Sequence, residues 1–98
     1  MDSSYGLASK VISFPGKREA LAEALMEVSR LVFLSNGCLS YVVSKVDSEE
    51  NALFVTQFWK NEEVRRSALS LPGYFELINR CHELMAGVEE THLRPLSN

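Results

Sequence analysis

The sequence predicts a ferredoxin-like α+β domain with the element order β-α-β-β-α-β and one antiparallel sheet. Segments rich in β-branched and aromatic residues lie at 5–14, 38–45 and 52–59, with a further strand at 88–96. Two longer segments between these strands carry apolar residues at steps of three and four, which is typical of a helix with one apolar face. The polar turn at 47–51 predicts that the two middle strands form a hairpin.

The first helix is predicted to follow Pro15-Gly16, which ends the first strand. It runs from Lys17 to about Leu34, and Asn36-Gly37 is predicted to stop it, since these residue types adopt left-handed backbone at helix C-termini. Its apolar stripe comprises Leu21, Ala24, Leu25, Val28, Leu31 and Val32.

A short second helix is predicted from Asn61 to about Leu69. Asn61 is the expected N-cap, and Glu62-Glu63 places acidic side chains in the first turn, where they face the positive end of the helix dipole. Leu71-Pro72-Gly73 breaks this helix and introduces the next one.

The third helix is predicted to begin near Pro72 and to end at Gly87. Its apolar stripe comprises Tyr74, Leu77, Ile78, Cys81, Leu84 and Met85. The last strand is expected from Val88 to about Leu96, with Pro95 at a sheet edge because proline cannot donate to a ladder.

Length and charge exclude several classes of protein. The 98 residues predict one domain spanning 1–98, with 10 basic and 13 acidic side chains and a net charge of -3. The basic pairs Lys17-Arg18 and Arg65-Arg66 lie beside glutamates, so they indicate solvated helix faces and no nucleic-acid partner. A mean hydropathy of -0.05 without a long apolar run argues against a membrane protein, and the N-terminal sequence lacks a secretion signal. A cytoplasmic location is expected.

Neither the cysteines nor the histidines are spaced as metal ligands. Cys38 and Cys81 lack a CxxC motif, so we interpret them as small buried hydrophobic residues. A glycine-rich phosphate loop is also missing. The sequence therefore predicts no metal site and no cofactor.

The third strand is apolar on both faces. Leu53, Val55 and Trp59 point to one side, whereas Phe54 and Phe58 point to the other. A ferredoxin-like sheet carries helices on one face only, and its other face should be polar if it meets water. The alternation therefore predicts a homodimer in which a second subunit covers the open face.

Several short segments share their order and spacing with a known family. They are Gly37-Cys38-Leu39-Ser40-Tyr41, Trp59 followed by Lys60-Asn61-Glu62-Glu63, Leu71-Pro72-Gly73-Tyr74-Phe75, and Met85-Ala86-Gly87. From about Lys10 to Leu96 the chain resembles the antibiotic biosynthesis monooxygenase domain. The resemblance implies a dimeric α/β barrel of two facing sheets. It also implies the activities of that family, which include cofactor-independent oxidation of quinols and anthrones by O2, haem degradation and the processing of small signalling molecules.

The resemblance makes Trp59 the first candidate site residue. Its indole could stack on a planar aromatic substrate and donate a hydrogen bond, and Gln57 on the same face could bind a quinone oxygen. Arg65 or Arg66 could pair with a phenolate and lower the pKa of the bound acid. Each of these residues also has a purely structural interpretation. Trp59 could be part of the core, Gln57 could bond to neighbouring backbone, and the two arginines could lie on a solvated helix face.

Further candidates lie on the second strand and the third helix. Tyr41 and Tyr74 could line a pocket or simply pack. Either His82 or His92 could act as a base near neutral pH, although a histidine beside an apolar stripe is more often structural.

The chain departs from the family at several polar positions. Many members have an acidic residue where this chain has Gln57, and histidines where it has Ala68 and Gly73. The asparagine on which the haem-degrading members rely is missing from the first strand, which disfavours haem degradation. Two hypotheses follow: a cofactor-free monooxygenase acting on a planar phenolic, quinol or anthrone-like molecule, or a non-catalytic dimeric barrel that binds a small apolar ligand.

Overall fold

The computed structural model describes residues 4–97 and contains one antiparallel sheet with helices on one face. Its elements are β1 Tyr5–Ser13, α1 Arg18–Val32, β2 Cys38–Lys45, β3 Ala52–Trp59, α2 Glu62–Ala68, α3 Tyr74–Leu84 and β4 Met85–Leu93. The strand order is β2-β3-β1-β4, with β1 between β3 and β4. The predicted ferredoxin-like fold is therefore confirmed. Within the described residues, no helix is long and apolar enough to cross a membrane.

The core lies between α1 and the helix-facing side of the sheet. The predicted stripe of α1 is buried along most of its length, with Leu21 at 0% and Val28 at 1% exposure. These side chains pack against the odd-numbered residues of β3, including Leu53 and Val55. Full burial of each such side chain stabilises the fold by roughly 1.5–3 kcal/mol.

The end of α1 differs from the sequence prediction. The helix ends at Val32, and a tight turn follows, in which the Leu34 N–H donates to Leu31 and the Ser35 N–H to Val32. Leu34 is 79% exposed, because the turn carries it out of the apolar stripe. Gly37 therefore does not cap the helix; its φ of 144° lies at the entry to β2.

The boundary between α3 and β4 also lies earlier in the chain than the sequence predicted. The helix ends at Leu84, and Met85 already has extended backbone with φ -99° and ψ 131°. Met85 pairs with Ser13 and Gly87 with Ile12, so hydrogen bonding to β1 draws this segment into the sheet. Gly87 is thus a strand residue and not the helix stop.

The last strand also ends earlier than predicted, because its partner strand β1 does not extend far enough to pair with it. Leu93 pairs with Gly6, close to the start of β1, so little partner strand remains beyond it. Pro95, which has no N–H to donate, lies outside the strand.

The start of α2 agrees with the sequence. The side chain of Asn61 accepts a hydrogen bond from the Val64 N–H at 2.8 Å, as expected of an N-cap. This cap fixes α2 directly after β3, so that the helix begins beside Trp59.

The predicted two-sided character of β3 is confirmed. Leu53 and Trp59 are each 1% exposed beneath the helices, whereas Phe54 on the opposite face is 38% exposed. Val42 on β2 and Leu93 on β4 add to this apolar open face, at 48% and 36% exposure. One sheet face is thus covered by helices within the chain, and the other is left apolar and uncovered.

We expect Gly37→Ala to destabilise the fold strongly. Gly37 has a positive φ of 144°, and a Cβ at this position would lie 2.2 Å from Val64 Cγ1 of α2. Backbone strain and overpacking together should lower the free energy of unfolding by about 3 kcal/mol. Chemical denaturation of the variant measures this loss.

Gly16→Ala is the matched control. Gly16 also has a positive φ, of 78°, but a Cβ added there would have no other atom within 4 Å. In Gly16→Ala the free energy of unfolding should therefore fall only by the cost of backbone strain, about 1 kcal/mol. Equal losses in the two variants would contradict a packing role for Gly37 against α2.

Candidate functional site

A half-open cavity lies between the sheet and the helices, with a volume of about 110 Å³. Its apolar wall comprises Val11, Leu25, Val55, Ile78, Met85 and Val88. Polar side chains from β1, β2, β3, α2 and α3 complete the lining, so residues far apart in the sequence meet here. Glu90 of β4 and His82 of α3 line it while remaining exposed, which places the mouth between these two elements.

The strand register explains which polar residues reach this cavity. Gln57 lies on the helix-facing side of β3, two residues before Trp59, and pairs with Tyr41 of β2 on one side and Leu7 of β1 on the other. Because directly opposite residues share a face, Tyr41 and Gln57 point into the same space. Tyr74 opens α3 above them, and Arg65 approaches from α2.

Trp59 is buried behind the cavity and does not line it. It is 1% exposed, and its Nε1–H donates a hydrogen bond of 2.8 Å to Oε1 of Gln57, which is itself 7% exposed. Since the Gln57 oxygen accepts from the indole, the amide nitrogen is the end left to donate elsewhere. This position fits a residue that orients Gln57 and does not fit an aromatic platform for a ligand.

Several polar groups of the cavity have no partner in the protein. Within residues 4–97, no hydrogen bond or ion pair is formed by the Ser9 or Tyr74 hydroxyl, the Tyr41 hydroxyl, the Gln57 amide nitrogen or the Arg65 guanidinium. In the same part of the chain, every fully buried side-chain nitrogen or oxygen has a partner. The unpaired groups are therefore accessible from the cavity and available to a ligand.

The two tyrosines are held in their neutral, donating form. Burial raises the pKa of Tyr41 far above its ordinary value, the nearby Tyr74 adds to this, and the Arg65 guanidinium opposes it. Burial also raises the pKa of Tyr74, again against Arg65. At neutral pH both side chains therefore present O–H donors, beside the positive charge of Arg65.

The other candidate residues are divided between the cavity and the surface. His82 lines the cavity, as does Arg65. Arg66 points away and forms an exposed ion pair with Glu62 at 3.6 Å, so it is not part of the cavity lining. His92 lies outside it, where its Nδ1 is 2.7 Å from the Tyr5 hydroxyl.

Sequence reasoning missed Ser9, Cys81 and Glu90 as cavity residues. The signal for Ser9 was present: it occupies a core-facing position of β1 between Leu7 and Val11, where a polar side chain requires a reason. Cys81 is buried, as expected, but its side chain also faces the cavity, and burial raises its thiol pKa to about 11. Glu90 reaches the cavity because it pairs with Ser9 across β1 and β4, a register that the sequence alone did not provide.

No grouping of three or more histidine, cysteine or acidic side chains able to hold a metal ion occurs within residues 4–97. Cys81, His82 and Glu90 line the cavity together with hydroxyls, an amide and a guanidinium. The hydroxyl, amide and guanidinium groups bind oxygen atoms of organic ligands better than they bind cations.

The fold is a ferredoxin-like domain with a half-open cavity between the sheet and the helices. The sequence profile of the family described as "Antibiotic biosynthesis monooxygenase" matches residues 13–78. The chain belongs to this family. No curated protein matches the sequence.

Solved structures resemble this chain over nearly its whole length. A protein assigned to the same family from Chloroflexus aurantiacus J-10-fl is 33% identical, with a TM-score of 0.90 over 98% of this chain and 96% of its own. SnoaB, a cofactor-independent oxygenase from Streptomyces nogalater, has a TM-score of 0.83 at 12% identity, covering 100% of this chain and 97% of its own. At that identity the second comparison shows the shared fold alone.

We expect the stability of the protein to fall as the pH rises above about 9, first because the Cys81 pKa is raised by burial and then, above about 10, because the Tyr41 pKa is raised as well. The pKa of Tyr41 is raised by burial, so above the ordinary tyrosine pKa the unfolded chain loses this proton while the folded protein keeps it. The folded state then binds more protons, and the free energy of unfolding decreases with pH. Urea denaturation across this range measures the slope, which Tyr41→Phe should reduce.

Tyr5→Phe is the control, because Tyr5 lies outside the cavity and bonds to His92. It should keep more of the alkaline slope than Tyr41→Phe. An unchanged slope in Tyr41→Phe would show that this hydroxyl does not carry the effect.

Proposed function

We propose that this protein is a cofactor-independent monooxygenase that oxidises a planar phenolic, quinol or anthrone-like molecule with O2. The observation that supports it best is the set of unpaired donors facing one cavity, around Gln57, Tyr41, Tyr74 and Arg65. A ligand oxygen placed among these groups would accept hydrogen bonds beside a positive charge. The family membership and the structural likeness to a cofactor-independent oxygenase agree with this activity.

The donor set favours the anion of an acidic substrate. Hydrogen bonds from neutral hydroxyls and an amide, together with the Arg65 charge, stabilise a phenolate or enolate more than its protonated form. The pKa of the bound substrate is therefore lowered. An electron-rich anion of this kind is the form that reacts with O2 without help from a cofactor.

The reaction balances without an external reductant. For a quinol, one atom of O2 forms a bond to a ring carbon. The other atom leaves as water, with two hydrogens from the substrate. The substrate supplies all the electrons, and the product is a hydroxyquinone. The protein contributes binding, stabilisation of the anion, and the exclusion of bulk water by the apolar wall of the cavity.

In this proposal Gln57 is the residue that contacts the substrate oxygen, and Trp59 is a positioning residue. The indole N–H holds the carboxamide with its NH2 toward the cavity. His82 and Glu90 at the mouth are the titratable groups placed to receive the substrate proton. We also propose a cytoplasmic location, which suits the free thiols of Cys38 and Cys81.

A second candidate is a barrel of the same family that binds a small apolar ligand without turnover. The observation that favours it is the burial of Trp59, because the indole is then not available to stack on a substrate. Buried Ala68, at 2% exposure, also stands where the family often has a histidine. Both hypotheses predict that the protein binds a small ligand, but only the monooxygenase consumes oxygen.

Oxygen uptake by the purified protein, without added cofactor, tests the proposal with a panel of hydroquinones and anthrones. We expect uptake well above the spontaneous rate. Gln57→Leu removes the amide donor and should reduce uptake at least tenfold, since the loss of a preorganised donor to a developing oxyanion costs about 10²–10³ in rate elsewhere.

Tyr5→Phe controls for a general effect on the fold and should retain the parent rate, because its hydroxyl lies outside the cavity. Uptake that never exceeds the background, with the phenols still binding, would favour the non-catalytic barrel. Equal rates in Gln57→Leu and the parent would exclude the site proposed here.

We further propose a homodimer formed through the open sheet face. The apolar side chains on this face include Val42, Phe54 and Leu93, all at least a third exposed in the single chain. Phe58 packs over Gly6, where even a Cβ would lie 2.8 Å from its ring. A second copy of the same sheet is a partner of matching apolar character, and it would cover this surface on both chains.

Phe54→Glu should convert a dimer into a monomer, because each chain would bury an unpaired carboxylate in the interface. Sedimentation velocity at micromolar concentration measures the change. Phe75→Glu is the control: Phe75 is 69% exposed on α3, on the other side of the sheet, and its variant should remain dimeric. A monomeric parent protein would overturn the dimer.

A further inference from the structure

Ser9 is a largely buried polar side chain without a structural partner. It is 5% exposed at the centre of β1, and its hydroxyl takes part in none of the side-chain hydrogen bonds within residues 4–97. The oxygen is not fully enclosed, because every fully buried side-chain nitrogen or oxygen in that part of the chain has a partner. It nevertheless lines the cavity, from which the hydroxyl is reached. A hydroxyl that reaches the cavity without a protein partner is free to form hydrogen bonds with a water or with a polar group of a ligand there.

The sheet register places Ser9 apart from the donors already described. Gln57 pairs with Leu7, and Ser9 pairs with Val55, so Ser9 and Gln57 are diagonal neighbours on the same face of β1 and β3. One step between strands and two residues along a strand separate their Cα atoms by about 8 Å. Tyr41 lies on the far side of Gln57, so the tyrosine end of the cavity and Ser9 are opposite each other.

The space between these two polar positions is apolar and small. Val55, Ile78 and Met85 belong to its apolar wall. The cavity volume of about 110 Å³ is below that of an engineered protein cavity of about 150 Å³ that admits benzene. One aromatic ring is therefore the largest rigid unit that the enclosed part can hold, with any further group outside the mouth.

We propose that Ser9 is a specificity-determining residue, which binds a second oxygen on the far side of a single-ring ligand while Gln57 and the tyrosines hold the first. This inference rests on the proposed function, since it concerns the ligand of the same site. It adds two statements: oxygens at opposite positions of the ring are preferred, and fused three-ring molecules are disfavoured.

Binding under anaerobic conditions tests this without turnover. Isothermal titration calorimetry compares phenol, 1,2-dihydroxybenzene, 1,4-dihydroxybenzene and anthrone against the parent protein, Ser9→Ala and Ser9→Thr. In Ser9→Ala the affinity for 1,4-dihydroxybenzene should fall about tenfold, as expected for one lost hydrogen bond, while that for phenol changes less than about twofold. Ser9→Thr retains the hydroxyl and should retain the preference for the 1,4-diol.

Ser67→Ala is the matched control, since Ser67 is an exposed serine of α2 outside the cavity, and all its affinities should equal those of the parent. An equal loss of phenol and 1,4-diol binding in Ser9→Ala would overturn the role of Ser9. Tighter binding of anthrone than of 1,4-dihydroxybenzene would overturn the size limit. Either of these results leaves the proposed monooxygenase function standing if oxygen uptake is observed. If none of the compounds binds the parent protein, both the role of Ser9 and the proposed function are overturned.

Discussion

The hydrogen bond from Trp59 Nε1 to Gln57 Oε1 connects the core of this protein to its cavity. Both side chains are almost fully buried, so neither polar group could lose its partner without a cost of roughly 1–3 kcal/mol. The bond fixes the Gln57 amide in one orientation and leaves its nitrogen toward the cavity. A residue that packs as core thus determines the polarity of the site.

The rest of the site depends on the twofold alternation of the strands. Gln57, Val55 and Leu53 share the face on which α1 packs, and the same alternation sends Phe54 to the open face. The cavity lies on the helix-covered face, with its mouth between α3 and β4. The proposed ligand site and the proposed subunit interface therefore lie on opposite faces of one sheet.

Sequence patterns alone singled out several of the cavity residues. Tyr41, Gln57, Arg65, Tyr74 and His82 were all candidates, and all of them line the cavity. Period-two alternation places Gln57, the position of Arg65 on the short helix after Trp59 indicated that residue, and the resemblance to the family directed attention to Tyr74. Sequence reasoning could not separate Arg65 from Arg66, because two adjacent arginines on a helix look alike in the sequence. Their side chains leave the helix in directions that differ by about 100° around its axis. Arg66 therefore faces Glu62 and not the cavity.

The sequence by itself determined the element order, the ferredoxin-like class and the two apolar faces of β3, because these depend on local periodicity. The tertiary structure alone decided that Trp59 lies behind Gln57 and outside the cavity, that Ser9 and Glu90 meet across β1 and β4, and that Met85 leaves the helix to join the sheet. Strand register and helix packing relate residues far apart in the chain. No pattern within a single segment contains that information.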